Sequence, residues 1–306
     1  MNNPTPVDLL LNRAAQDDPT IDMWLTETIH DDFRISLRVT EKIISQQSRY
    51  QLIELYESVA FGKVLVLDGV IQLAERDEHI YHEMLVHLPL LEHGQAKNVL
   101  IIGGGDGCSA YRALMHPNVH VTLVEIDDQV VTVCQQHLGH LNNGLTASER
   151  FTLLIDDGFA YLPTVQNKFD LIIIDSSDPV GPSNPLFSAD FYQQCARALA
   201  DDGVLVCQAG MPLLKDAVLP RIRALHSGIF DFSGAYLATV PTYVGGSLAF
   251  AWATNNPQFS KTPLDTIRKR VENSGVVTKS YNPEVHRAAF CLPAELLSYS
   301  EDFGQP

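Results

Sequence analysis

This chain lacks the features that would place it in a membrane or in an oxidising compartment. Its five cysteines are scattered, odd in number and never paired as C-x-x-C, which predicts neither a disulfide framework nor a zinc site. It has no apolar run near the roughly 18 residues that a membrane helix requires. The first residues show no basic region followed by an apolar stretch, so we expect no signal peptide and a cytoplasmic location.

Basic residues are also scarce, with 21 Lys and Arg against 37 Asp and Glu, for a net charge of −16. This balance disfavours nucleic acid and anionic membranes as partners, and it is compatible with a cationic substrate. Metal motifs are missing as well. An H-E-x-x-H motif starting at His82 would need histidine at position 86, where Val86 stands, and no EF-hand spacing occurs. We therefore predict no metal.

The 306 residues divide into three parts by pattern. Residues 1–21 are polar and proline-rich and are interpreted as an N-terminal tail. Residues 22–76 alternate apolar and polar positions, with a turn at Asp68-Gly69, which predicts a small antiparallel β domain. Residues 77–306 form the remaining, larger domain.

Strands and helices alternate in the larger domain. Asp77 is predicted to cap a helix that runs to about Leu91 and buries Tyr81, His82, Met84, Leu85 and Leu88. We then predict strands at 99–102, 119–125, 151–155, 170–175 and 203–208, and helices near 109–116, 127–138, 158–165, 188–199 and 213–226. Two further strands near 234–240 and 248–254 predict an antiparallel edge, and a last helix is expected near 264–273. The fold class is α/β: a doubly wound, seven-stranded Rossmann-like domain of the adenosylmethionine-dependent methyltransferase type, preceded by the small sheet.

A glycine-rich turn follows the first of these strands. The pattern is G-x-G-x-G at Gly103, Gly105 and Gly107, because Cys108 occupies the position that a dinucleotide G-x-G-x-x-G motif would give to glycine. The G-x-G-x-G form is common in folds that bind adenosyl sulfonium compounds, which have no pyrophosphate. Glu125 ends the next strand, twenty residues after Gly105 (125 − 105 = 20), where a ribose-binding carboxylate is expected.

Polar side chains follow each of the five parallel strands. They are Asp106, Glu125, Asp156 to Gly158, Asp175 to Asp178, and Gln208. Since ligands bind at the carboxyl ends of parallel strands, these residues are expected to share one cleft. Clustered carboxylates persist where a cation occupies the site, and one of them can take the proton of an amine nucleophile. Metal binding is the rival interpretation, and structural roles could explain some of the acids, such as a helix cap at Asp157 or a turn at Asp178.

Asp106 distinguishes between two donors. Intact adenosylmethionine ends in an amine and a carboxylate, and an acid in the glycine loop would repel that carboxylate. A decarboxylated donor carries only the amine, which Asp106 would attract.

Three motifs together resemble the polyamine aminopropyltransferases: Gly-Gly-Gly-Asp-Gly at 103–107, Val-Glu-Ile-Asp at 124–127, and Asp-Ser-Ser-Asp-Pro-Val-Gly-Pro at 175–182. The resemblance runs from about Trp24 to Pro293. It also includes matching residues at 50–51, 67–72, 75–78, 81–83, 157–158, 241–243 and 281–282, with His286.

The resemblance implies transfer of an aminopropyl group from decarboxylated adenosylmethionine, as co-substrate, to putrescine, with no further cofactor. It implies that Asp175 is the general base and that Tyr81 orients the amine. The donor-binding set would be Gln51, His82, Gly103, Gly105, Asp106, Glu125, Asp157 and Gly158. The acceptor set would be Asp178, Tyr243, Trp24 and Gln208. The segment 176–186 would close over the substrates, and the chain would form a homodimer or homotetramer through its N-terminal sheet.

Three alternatives remain open from the sequence. The first is aminopropyl transfer to a different acceptor, with agmatine, cadaverine or spermidine as candidates. The second is a methyltransferase that uses intact adenosylmethionine, which Asp106 and the 175–179 motif disfavour. The third is a non-catalytic sensor of polyamines or nucleosides, which the intact set of acids disfavours.

Overall fold

The computed structural model describes residues 23–142, 144–166, 168–177, 181–214 and 217–298. The predicted tail 1–21, Asp178 and part of the predicted closing segment 176–186 lie outside these residues. Within the described part of the chain, no helix is long and apolar enough to cross a bilayer.

The first sheet is a five-stranded antiparallel meander. Its strands are β1 (Met23–His30), β2 (Phe33–Gln47), β3 (Leu52–Ser58), β4 (Gly62–Leu67) and β5 (Val70–Ala74), and they lie in chain order. The predicted turn joins β4 to β5, with φ of 49° at Asp68 and 80° at Gly69. Two successive positive φ values match the twist of the flanking strands, and asparagine, aspartate and glycine tolerate them best.

The second sheet has seven strands. They are β6 (Asn98–Gly103), β7 (His120–Glu125), β8 (Phe151–Ile155), β9 (Phe169–Asp175), β10 (Leu199–Gln208), β11 (Phe232–Ala238) and β12 (Leu248–Thr254). The order across the sheet is β11-β12-β10-β9-β6-β7-β8. Strand β12 runs antiparallel to both β10 and β11, whereas the other pairs are parallel. The predicted doubly wound sheet with an antiparallel edge is confirmed.

Helices cover both faces of this sheet. They are α1 (Glu78–His93), α2 (Cys108–Leu114), α3 (Asp128–His137), α4 (Gly158–Tyr161), α5 (Ala189–Ala198), α6 (Val218–Ser227), α7 (Leu264–Ser274), α8 (Pro283–Ala289) and α9 (Ala294–Ser298). Successive side chains of β6 alternate between two cores: Val99 and Ile101 enter one, and Leu100 and Ile102 enter the other. Because both faces are buried, the strand is apolar throughout, as the sequence predicted.

Helix α1 is buried more completely than its pattern suggested. Thirteen of its sixteen residues are buried, because it packs against α2, α7 and strands β9 to β11. It ends at Gly94, whose φ of 78° allows its N–H to reach the carbonyl of Leu90 at 2.8 Å.

Two local predictions were wrong. Asp77 precedes α1, but its side chain makes no capping bond and instead accepts hydrogen bonds from the amide and the hydroxyl of Thr242, at 2.8 and 2.9 Å. The helix predicted from residue 213 begins at Val218. Residues 211–214 form a turn that the amide of Leu214 closes on the carbonyl of Met211 at 2.9 Å.

A hydrophobic core joins the small sheet to helices α2 and α3 of the larger domain. Ile53, Leu55 and Leu65 of the small sheet pack against the α2 and α3 side, where they meet Cys108 and Val130. Burying these apolar side chains holds the small sheet against the glycine-loop end of the large one. Cys108 is 1% exposed and fills space in this core.

Candidate active site

One large cavity opens where the parallel strands end and the small sheet covers them. Its wall includes the glycine loop Gly103–Asp106 and the ends of β7, β9 and β10, with Tyr81 and His82 from α1. The small sheet contributes a second wall with Glu27, Ile29, Ile35, Gln51, Leu65, Leu67 and Gln72. The predicted residues Glu125, Asp157, Gly158, Asp175, Gln208 and Tyr243 also line it. Most of the acids predicted to share one cleft do so.

Asp175 is held from two sides at the end of β9. The Tyr81 hydroxyl donates to Oδ1 at 2.7 Å, and the Ser109 hydroxyl donates to Oδ2 at 2.6 Å. The amide of Gly104 donates to the Asp175 carbonyl at 2.8 Å. Both carboxylate oxygens and the backbone are therefore fixed relative to the glycine loop.

The surroundings of Asp175 favour a proton acceptor. Burial and the neighbouring Asp106 raise the pKa of Asp175, while His82 and the two hydroxyl donors lower it, and the net direction is upward. A carboxylate with a raised pKa is a stronger base than a solvated aspartate. Burial and the charge of Asp175 also hold the pKa of Tyr81 well above its usual range, so its phenol stays a donor.

Asp106 projects from the glycine loop beside Asp175. Its Oδ1 accepts the amide of Cys108 at 2.7 Å, and its carbonyl accepts the side-chain amide of Asn142 at 2.6 Å. The same Oδ1 lies 3.6 Å from Nε2 of His82. The imidazole of His82 thus lies next to the carboxylate of Asp106, a pairing that the sequence did not predict.

His82 is a buried cation. Burial alone would lower its pKa, but Asp106 and Glu78 outweigh burial and raise the pKa of His82 to about 9. Glu78 Oε2 contacts His82 Nδ1 at 2.9 Å, and its Oε1 accepts a hydrogen bond from Arg112 at 2.8 Å. A chain of alternating charges therefore runs from Arg112 and Glu78, behind the cavity, to His82 and Asp106 on its wall.

Glu78, His82 and Cys108 bring three potential metal ligands within 4.8 Å of one another. Their chemistry opposes a metal. Glu78 is occupied by Arg112 and His82, His82 is protonated, and burial holds the pKa of the Cys108 thiol well above its usual range. A metal ligand must be deprotonated, so these residues fit an ionic network rather than a metal site.

Two glycines of the loop allow close approach. At Gly103, where φ is 83°, a Cβ atom would lie 2.2 Å from the carbonyl oxygen of Asp175. At Gly105 it would lie 3.0 Å from the side chain of Glu125. Any side chain at Gly103 would displace the strand end that carries Asp175.

Glu125 lies at the end of β7, where the sequence placed a ribose-binding acid. Its Oε1 accepts the amide of Asp127 at 2.8 Å, and burial raises its pKa to about 7. Gln51 approaches from the small sheet and donates to Asp127 Oδ2 at 3.0 Å. One strand end and one strand of the small sheet thus meet at this part of the wall.

Asp157 and Gly158 form the next part of the wall. Oδ1 of Asp157 accepts the amide of Phe159 at 2.8 Å and so caps α4. A helix cap was the structural alternative that the sequence offered for this residue. At Gly158 a Cβ atom would lie 2.3 Å from the side chain of Ile102, so glycine is needed there.

The opposite end of the cavity combines both sheets. Tyr243 donates its hydroxyl to the carbonyl of Gln72, and Gln208 donates to the carbonyl of Ser176 at 3.2 Å. Glu27, which the sequence analysis missed, lines this end and accepts the amide of Ile71 at 3.1 Å.

Trp24 is not brought to this cavity. Its side chain is 55% exposed, because the alternation of β1 places Glu27 and Leu25 on the inner face and Trp24 on the outer one. The same alternation, anchored on buried Leu25, was the signal that could have identified Glu27.

Known proteins resemble this chain over almost its whole described length. A family model described as "Spermine/spermidine synthase domain" matches residues 78–263, and one described as "Spermidine synthase tetramerisation domain" matches residues 23–75. A polyamine aminopropyltransferase of Ruegeria sp. is 43% identical over 275 residues, which is 90% of this chain and 97% of that protein. One of Salmonella paratyphi B is 45% identical over 276 residues, covering 90% and 96%.

Solved structures agree in architecture. A crystal structure of spermidine synthase in complex with the transition-state analogue AdoDATO superimposes with a TM-score of 0.86 at 32% identity, covering 91% of this chain and 94% of that one. The spermidine synthase of Thermotoga maritima superimposes with a TM-score of 0.82 at 31% identity and the same coverage.

Proposed function

Because this chain belongs to the spermine/spermidine synthase family of polyamine aminopropyltransferases, we propose that it makes spermidine. The donor is decarboxylated adenosylmethionine, the acceptor is putrescine, and the second product is methylthioadenosine. No other cofactor takes part.

The observation that carries this proposal is the pairing of Asp106 and Asp175 on one cavity wall. Both substrates are cations, and each carboxylate can receive one ammonium group. Asp106 would bind the amine of the donor, and its charge would repel the carboxylate of intact adenosylmethionine. Asp175, with its raised pKa and its bond from Tyr81, would receive the amine of the acceptor.

The reaction is an in-line displacement. Asp175 takes a proton from the acceptor ammonium, and the freed nitrogen lone pair attacks the carbon beside the sulfonium. The new N–C bond forms as the C–S bond breaks, and the electron pair of that bond neutralises the sulfur. No acid is needed at the leaving group, so the protein aligns the two substrates and removes one proton.

The remaining donor contacts follow from the wall. Glu125 would accept hydrogen bonds from the ribose hydroxyls, beside Gly103 and Gly105. Asp157 and Gly158 would meet the adenine, and Gln51 and His82 would contact the donor from the side of the small sheet and α1.

At the acceptor end, Tyr243, Gln208 and Glu27 lie beyond Asp175. Glu27 adds a second carboxylate to the cavity, which suits the second ammonium of a diamine and supports putrescine over a monoamine. Asp178 remains a predicted acceptor residue outside the described part of the chain.

We also propose that the chain assembles into a homodimer or homotetramer through the small sheet. The family model over residues 23–75 supports this, and Trp24 and Met23 place exposed apolar area on the outer face and edge of that sheet. Light scattering on the purified protein should give two or four chains, and a monomer at micromolar concentration would contradict the assembly.

A product assay tests the activity. The protein is mixed with decarboxylated or intact adenosylmethionine and, in turn, with putrescine, cadaverine, agmatine or spermidine, and the products are identified by mass spectrometry. We expect methylthioadenosine and spermidine, with the highest kcat/KM for putrescine.

The other outcomes identify the alternatives. If methylthioadenosine forms but another amine gives the highest kcat/KM, the reaction is aminopropyl transfer and that amine is the acceptor. A methylated product and S-adenosylhomocysteine from the intact donor would indicate a methyltransferase. If no product forms while the amines bind, as measured by calorimetry, the chain is a sensor.

A further inference from the structure

Ser109 contacts the proposed base but not the cavity. Its hydroxyl lies 2.6 Å from Oδ2 of Asp175, sixty-six residues away along the chain. Ser109 is fully buried, with 0% of its surface exposed, and does not line the cavity that Tyr81 and Asp175 face. A substrate in that cavity would therefore meet the base on one side, while Ser109 holds it from the other.

The identity of this residue needs an explanation. Ser109 stands in the first turn of α2, next to Ala110 and on the same buried helix as Ala113. Alanine favours a helix more than serine does, and a buried hydroxyl without a partner destabilises a protein. Helical serines often bond to the carbonyl one turn earlier, whereas this one donates to a carboxylate on another element. The hydroxyl is therefore explained by Asp175 and not by the helix.

The two donors to Asp175 divide its oxygens. Tyr81 takes Oδ1 and Ser109 takes Oδ2, so rotation of the carboxylate about its Cβ–Cγ bond would break both bonds. Residue 104 is a glycine beside this carboxylate, since a Cβ atom at that position would lie 2.9 Å from Oδ2. With both oxygens fixed, the lone pairs that remain keep one direction relative to the cavity.

We propose that Ser109 is a positioning residue, which fixes the orientation of the Asp175 carboxylate and stabilises its ionised form for proton abstraction. This inference rests on the proposed aminopropyl transfer. Ser109 does not touch substrate, so its effect reaches the reaction through Asp175.

Other groups also act on Asp175, and they set the direction of the expected change. Asp106 faces it from the glycine loop, Tyr81 and His82 from α1, and Tyr243 from the segment after β11. Asp106 raises the pKa of Asp175, while His82, Ser109 and Tyr81 lower it. Loss of the Ser109 hydroxyl leaves the other four groups in place, so the pKa of Asp175 must rise.

The test compares three substitutions in the full-length protein. Ser109→Ala removes the donor, Ser109→Cys fills nearly the same space with a weak donor, and Ser109→Thr keeps the hydroxyl. For the Ala and Cys variants we expect the acid limb of the plot of kcat against pH to move to higher pH by about one unit, because one hydrogen bond to a charged group is lost. We expect kcat near neutral pH to fall about tenfold, because the carboxylate loses its fixed orientation, while both KM values stay within about twofold of the original. The threonine variant should restore the acid limb.

A second readout does not depend on turnover. The ¹³C resonance of the Asp175 carboxyl, assigned with Asp175→Asn, reports the titration of the base directly. The pH at the midpoint of this titration should rise in Ser109→Ala and Ser109→Cys by the same amount as the acid limb. An unchanged titration in folded Ala and Cys variants would overturn the role of Ser109. An upward shift in a protein that makes no methylthioadenosine would retain that role and reject the proposed reaction instead.

Discussion

Asp175 is the residue on which the proposed chemistry depends most directly. Asp175→Asn keeps the shape of the side chain but removes its ability to take a proton, so we expect kcat to fall by about 100-fold to 10,000-fold. Binding of decarboxylated adenosylmethionine, measured by calorimetry, should change little, because the donor amine is assigned to Asp106.

Asp170 provides the matched control. It lies on the same strand at the opposite end, where Oδ2 accepts the amides of Lys97 and Asn98 at 2.7 and 2.9 Å. Asp170→Asn removes the same charge from β9 and should leave kcat unchanged. Equal loss in both variants would mean that the charge of the strand matters and that Asp175 is not the base.

Single residues were predictable where chain position alone decides their place. Asp106, Glu125 and Asp175 follow parallel strands, and the ends of such strands meet at one edge whatever the side chains are. Ser109 and His82 were harder, since their roles depend on partners far away in the chain. The charge on His82 results from Glu78 and Asp106 together, and no local pattern contains both.

At the scale of elements, α1 shows how far periodicity reaches. Its type and position were predicted from the 3.6-residue pattern, but its burial on nearly every side was not. Glu83 explains the discrepancy: although polar, it is buried, because its carboxylate accepts the amides of Lys279, Ser280 and Tyr281 at 2.8 to 2.9 Å. A polar residue in a helix usually faces solvent, whereas here the backbone amides of a distant segment satisfy the carboxylate.

The link between α1 and the segment after β11 gives a prediction at this scale. Asp77 holds Thr242 by its amide and hydroxyl, and Tyr243 follows directly in the cavity wall. Thr242→Val removes the hydroxyl bond to a buried carboxylate at nearly constant volume. We expect the free energy of unfolding to fall by about 1.5–3 kcal/mol in urea denaturation.

The same substitution should raise KM for the amine several-fold with a smaller change in kcat, since Tyr243 lies at the acceptor end and not at the reacting carbon. Thr242→Ser keeps the hydroxyl and serves as its control. If Thr242→Val weakens folding and leaves KM for the amine untouched, this link has a structural role only.

For the molecule as a whole, the two sheets could be predicted, and the cavity between them could not. The alternation of residues 22–76 predicted the small sheet, and the strand-helix alternation predicted the large one. Their relative placement depends on side chains such as Leu65 packing on Cys108, which a single sequence does not encode as a local pattern. The alternation of β1 places Glu27 on the inner face of the small sheet, but only the assembled sheets bring that face to the cavity.

Acid stability is a property at this scale, because it sums over buried histidines. Burial lowers the pKa of His116 to about 4, and burial and His116 hold that of His87 well below its usual range. Nδ1 of His87, on α1, lies 3.0 Å from Nε2 of His116, in the segment after α2. An unfolded histidine has a pKa near 6.5, so the unfolded chain binds more protons below that pH, and stability is lost as the pH falls from about 6.5 towards 4.

We therefore expect His116→Gln to reduce the loss of unfolding free energy between pH 7 and pH 5 by about 1–3 kcal/mol, as measured by urea denaturation at both values. His120→Gln, at an exposed position, is the control and should leave the pH dependence unchanged. An identical slope in the wild type and His116→Gln would assign the acid sensitivity to other groups.

The imidazolium of His82 has a consequence for turnover under the proposed reaction. The product spermidine carries three ammonium groups, and a wall of uncompensated carboxylates would hold such a polycation tightly after the bond-forming step. A fixed positive charge within that wall would weaken the binding of the departing polyamine, and it would also reduce the repulsion between Asp106 and Asp175 before the substrates bind. Under the proposed reaction, His82 would thus tune how readily the finished product leaves.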